Sequence, residues 1–94
     1  MPKTMTDTTV ATILTEGMTG EYRWNARRQT WMTCLDRYGV WTVLGSDTDM
    51  ARSARMRLYL TTGKWFTVPR VKRILETLKP KLQSETMLLE GLDA

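Results

Sequence analysis

The chain has 94 residues, 41% of them apolar and 26% charged, with a net charge of +4; this length and balance specify one small folded domain and exclude a disordered chain. Histidine is absent and Cys34 is the only cysteine, which removes internal disulfides, paired-thiolate zinc sites, the usual near-neutral general base and the Ser/His or Cys/His nucleophile. A non-enzymatic binding protein without metal or cofactor is therefore expected. The N-terminus lacks a signal-peptide core and no apolar run approaches the roughly twenty residues that cross a bilayer, so the expected location is cytoplasmic.

Residues 1–6 read as a polar, flexible leader and residues 7–94 as a single helical domain. Val10, Ile13 and Leu14 fall at i, i+3 and i+4, which places an apolar stripe on a short helix capped by Asp7 or Thr8 and ended by Gly17 and Gly20. Next, Trp24, Trp31, Leu35 and Tyr38 recur at spacings of seven, four and three. That pattern fits one helical face closed by Gly39, with Arg23, Arg27 and Arg37 toward solvent. The competing reading is β-structure, because Tyr22, Trp24, Trp31, Val40, Trp41, Thr42 and Val43 favour strands and residues 26–29 suit a hairpin loop. Imperfect alternation favours a helix over residues 21–38, followed by a short extended segment from Val40 to Leu44, too isolated to form a sheet alone.

Ser46-Asp47-Thr48-Asp49 is the clearest helix start, with a capping oxygen first and acids at the positive helix end. Met50, Ala51, Ala54 and Leu58 face inward, Arg52, Arg55 and Tyr59 share another face, and Gly63 closes the helix. Lys64, Trp65 and Phe66 form an exposed link. Thr67 caps a further helix with Pro69 in its first turn and a buried stripe of Val71, Ile74, Leu75 and Leu78. Lys79-Pro80 bends or ends it, and Leu82, Thr86 and Leu89 allow one more acidic segment before Gly91. The expected fold is mostly α, a small single-domain bundle of four or five short helices.

Charge is distributed unevenly. Nine of the fourteen basic residues lie between Met50 and Lys81 against one acid, Glu76, a local +8 that leaves −4 for the rest of the chain. Packed like charges raise the energy of the folded state, and Arg70, Lys72 and Arg73 also oppose the helix dipole. An anionic counterpart would offset both costs. Arg52, Arg55, Arg57, Lys64, Arg70, Lys72 and Arg73 are therefore candidates to grip phosphates or an acidic protein surface, with Trp65 as a stacking or pocket-filling anchor and Pro69 beside them. Helix, glycine turn and helix also suggest a DNA-reading helix-turn-helix regulator, but the interval from Gly63 to Pro69 is long and aromatic, and few residues suited to base edges follow. The Val68–Pro69 bond invites a prolyl isomerase, although a helix-start proline needs no such partner.

The length, the Trp-rich stretch from Tyr22-Arg23-Trp24 to Tyr38-Gly39-Val40-Trp41, and Gly63-Lys64-Trp65-Phe66-Thr67-Val68-Pro69-Arg70 together give a chain that resembles the small anti-RecBCD accessory proteins of lambdoid phages. The resemblance implies a phage protein in the host cytoplasm that binds the RecBCD helicase-nuclease and modifies its action on DNA ends, with the loop around Pro69 as a contact for a host prolyl isomerase. DNA would be met directly or through that complex.

Overall fold

The computed structural model describes residues 5–34 and 39–83. Its element order is α1 (Asp7–Met18), β1 (Tyr22–Asn25), β2 (Thr30–Cys34), β3 (Trp41–Gly45), α2 (Asp47–Thr62) and α3 (Val68–Leu78). The expected bundle of four or five helices is thus replaced, among the described residues, by three helices and one three-stranded antiparallel sheet ordered β1-β2-β3.

The ambiguity lay in two tryptophans. A spacing of seven serves one face of a helix, and it equally serves a hairpin with a four-residue loop, which sets Trp24 directly opposite Trp31. Three local features select the hairpin. Asn25 Oδ1 accepts the Arg28 backbone N–H at 2.9 Å across the turn, Gln29 takes the left-handed conformation at φ 53°, and the two indoles pack with centroids 5.3 Å apart. Such aromatic pairs contribute about 0.5–1.5 kcal/mol beyond their burial. The helix expected over residues 21–38 is therefore strand, turn and strand up to Cys34; Leu35, Arg37 and Tyr38 lie outside the described residues. Given a hairpin to pair with, the extended segment becomes β3 and is no longer isolated.

Arg23, expected at solvent, is 4% exposed, with its guanidinium 3.7 Å from the centroid of Trp41. Strand alternation explains this, since Arg23 points opposite to Trp24, away from the helices, and Trp41 of β3 folds over its aliphatic stem and planar head. Arg27 is exposed at the hairpin loop, and Cys34 is half-buried.

The helices follow local chemistry more closely. Thr6, one residue earlier than expected, caps α1 by accepting the Thr9 N–H at 3.1 Å, and Gly17 sits inside the last turn. Ser46 and Asp49 form a reciprocal capping box on α2. Gly45 makes this box fit: its φ is 141°, and a Cβ there would run into the Asp49 carboxylate. Gly63 ends α2 in the left-handed conformation at φ 77°, and Thr67 caps α3, which carries a trans Val68–Pro69 bond in its first turn.

One core joins all of these elements. Val10, Leu14 and Met18 from α1, Met50, Ala51, Ala54 and Leu58 from α2, and Val71, Ile74, Leu75 and Leu78 from α3 meet Trp24 and Trp31 from the sheet. Each fully buried Leu, Val or Met contributes roughly 1.5–3 kcal/mol by leaving water. Phe66, expected in an exposed link, is 5% exposed and belongs to this core. Beyond α3, Leu82 is buried and its carbonyl accepts the Trp24 N–H at 3.3 Å, so part of the outer edge of β1 is covered by the chain itself. Thr86 and Leu89 lie outside the described residues.

Candidate functional site

The nine residues singled out from the sequence do not form one patch. Arg52, Arg55 and Tyr59 stand at i, i+3 and i+7 along α2, and the chain folds back after Gly63 so that Trp65 stacks on Tyr59 with centroids 4.4 Å apart and planes at 14°. The guanidinium of Arg55 lies 4.8 Å from the Trp65 centroid. Lys64 precedes Trp65 and is exposed, as is Arg52. Neither Arg52 nor Lys64 forms a side-chain ion pair among the described residues, and Arg55 Nε is buried without a hydrogen-bond partner there. Arg55, Tyr59 and Trp65 thus meet on one face of α2, on which Arg52 also stands by its helical spacing, and Lys64 adjoins Trp65 in the chain.

Arg70 and Arg73 do something else. Arg70 Nε donates to Asp7 Oδ1 at 2.9 Å, its Nη2 donates to the Met5 carbonyl at 2.8 Å, and Arg73 Nη2 donates to Asp7 Oδ2 at 3.1 Å. The Arg70 guanidinium also lies 5.0 Å from the ring centroid of Phe66. The Asp7 carboxyl is held below the ordinary carboxylate range, first by the hydrogen bond from Arg70 and then by that from Arg73. These two arginines clamp α1 to α3. Their unfavourable place at the positive end of α3 is answered from within the chain.

Arg57 lies on yet another side of α2, paired with Glu21 at 2.7 Å and 5.8 Å from the Tyr22 ring centroid. Pro69 is exposed at the start of α3, and Lys72 is half-buried without an ion pair among the described residues.

Residues that the charge pattern overlooked complete the first face. Met56 is 49%, Leu60 76% and Trp65 51% exposed, so the solvent side of α2 has an apolar stripe between its cations. Met56 and Leu60 also line a groove of about 290 Å³ with Tyr22, Ser53, Arg57 and Thr61. The signal was present, because Met56 and Leu60 stand at i and i+4, off the Met50, Ala54 and Leu58 stripe.

A second polar cluster is structural. Asp47, at the first turn of α2, accepts the Trp31 indole N–H at 2.9 Å and lies 3.2 Å from Lys79 Nζ, which also pairs with Glu76 and sits 4.0 Å from the Trp24 ring centroid. Burial pushes the Asp47 carboxyl up, but the hydrogen bonds from Trp31 and Lys79 outweigh it and the net direction is down. Lys79 is shifted up: burial opposes its charge, and hydrogen bonds to Glu76 and Asp47 prevail. This network fastens the hairpin to α2 and to the end of α3.

No cluster of three or more His, Cys, Asp or Glu residues arranged to hold a metal occurs among the described residues. No helix there is long and apolar enough to cross a membrane. Comparison with protein-family models, with curated proteins and with solved structures finds no match to this chain. The fold is therefore a small α+β domain, described by its own geometry.

Proposed function

We propose that this is a non-enzymatic, cytoplasmic binding protein of phage origin that docks on a host DNA-processing complex of the RecBCD helicase-nuclease type and modulates it. The observation that carries this reading is the half-exposed Trp65, stacked on Tyr59 and met by the Arg55 guanidinium, with Arg52 exposed one turn earlier on α2 and Lys64 exposed next in the chain. Aromatic residues and arginine are the side chains most enriched at interface hot spots. The resemblance to lambdoid anti-RecBCD proteins supplies the choice of host complex. Pro69, exposed beside this face in the chain, offers a separate contact to a host prolyl isomerase.

A direct DNA-reading helix-turn-helix protein has less support. It would present Arg70 and Arg73 to a groove, and both are committed to Asp7.

The deciding experiment is affinity capture from a bacterial lysate with and without nuclease. Recovery of RecBCD that survives nuclease, and at least tenfold less recovery with the Arg52→Glu, Lys64→Glu double variant, is expected. Capture that vanishes when DNA is digested would overturn the reading. These two positions are the right ones to reverse, since neither holds an ion pair among the described residues; reversal at Arg70 or Arg73 would break the clamp on Asp7 and confuse docking with folding.

A further inference from the structure

A contiguous apolar patch on the solvent side of a helix marks an interaction surface, where a lone exposed leucine would not. Leu60 is 76% exposed, and with Met56, Tyr59 and Trp65 it extends an apolar surface along α2 and over the turn that follows. Cations flank it: Arg52 and Arg55 lie on the same helix, and Lys64 precedes Trp65. Between Met50 and Leu75 the chain contains no acid, so α2 and the turn after it bring cations alone to this apolar surface, and acids reach it at its edges, Asp49 toward Arg52 and Glu21 on Arg57.

We infer that this face of α2 is a receptor for an acidic amphipathic helix of a partner protein, with an apolar side chain of that helix seated in the groove between Met56, Leu60 and Tyr22. Three features choose this occupant. The stripe follows a helix axis, and helices dock on such surfaces through apolar anchors at i, i+3, i+4 and i+7. The rim of Arg52, Arg55 and Lys64 matches carboxylates flanking those anchors and repels a basic helix. Nucleic acid fits less well, because phosphates would face the apolar middle, and Tyr59 already covers one face of the indole on which a base would stack. Arg57, at the groove wall, is paired with Glu21, so that end of the face is charge-balanced and the net positive charge lies on the side of Arg52 and Arg55.

The inference deepens the docking proposal by naming the partner's chemistry, and its test needs no host complex. The full chain is titrated into three fluorescently labelled probes: a helical peptide with leucines at i, i+3, i+4 and i+7 and glutamates elsewhere, the same peptide with lysines for glutamates, and an oligothymidylate. Anisotropy is expected to show saturable binding of the acidic peptide alone, weakening as salt is raised. Leu60→Glu and Met56→Glu should each reduce affinity at least tenfold with the circular dichroism spectrum unchanged, since both side chains are exposed, and Leu60→Met should retain it. Equal binding of the lysine peptide, preference for the oligothymidylate, or full affinity in Leu60→Glu would overturn the inference. Peptide binding without capture of RecBCD would support this face and sink the choice of host complex. Capture of RecBCD undiminished by Leu60→Glu, with no peptide bound, would do the reverse.

Discussion

Asp7 illustrates how little of an ion pair is local. In the sequence it stands as an ordinary helix-start acid, yet its two oxygens receive Arg70 and Arg73 from the far end of the chain. Because the carboxyl is held below its ordinary value in the folded state, the native protein takes up this proton less readily than the unfolded chain does. The contribution to stability is therefore complete above the ordinary carboxylate value, about 3.9, and drains away as pH falls through the lowered native value. Asp7→Asn should lower the melting temperature at pH 7, and the melting curves of variant and parent should approach one another in acid. A gap that persists unchanged to low pH would show that the pairing is not its source. Arg52 and Arg55 were legible as a pair because their neighbours on the helix are also their neighbours in space. Arg70 and Arg73 were equally legible as cations, but their partner lies more than sixty residues away in the chain, and no spacing rule reaches that far.

Helices α2 and α3 could be read from their caps, since Ser46 with Asp49, Gly63, and Thr67 with Pro69 each satisfy or spare backbone groups within a turn of their own position. Ser46→Ala removes the hydroxyl that accepts the Asp49 N–H, and should cost about 1 kcal/mol, seen as a fall of about 4–8 °C in melting temperature for a domain of this size. An unchanged melting temperature would mean that the box is idle. The sheet was harder to read. Trp24 and Trp31 satisfied a helical period and a hairpin register at once; the Asn25 turn and the left-handed Gln29 favour the hairpin locally, but its pairing is completed only when β3 lies beside β2. Phe66 was misplaced for a similar reason: in sequence it neighbours the exposed Trp65, but the fold sends its ring into the core while Trp65 stacks outside on Tyr59.

The single core implies cooperative loss. Leu14 is fully buried in the cluster that joins all three helices to Trp24 and Trp31, so Leu14→Ala should destabilise the whole domain by about 2–5 kcal/mol. Far-ultraviolet dichroism, which reports the helices, and near-ultraviolet dichroism, which reports the indoles, should fall together in urea. Separate transitions would divide the sheet from the helices. At this scale seven of the nine clustered cations divide between two uses. Arg57, Arg70, Arg73 and Lys79 bind the domain to itself, and Arg52, Arg55 and Lys64 remain around the apolar face of α2. Composition and order alone determined the helix limits of α2 and α3, their buried stripes and the gathering of positive charge, because these depend on interactions within a few turns or on simple counting. Tertiary structure alone decided between hairpin and helix, the pairing of β3, the burial of Arg23 and Phe66, and which cations are spent internally, because each depends on contacts that no single segment makes by itself.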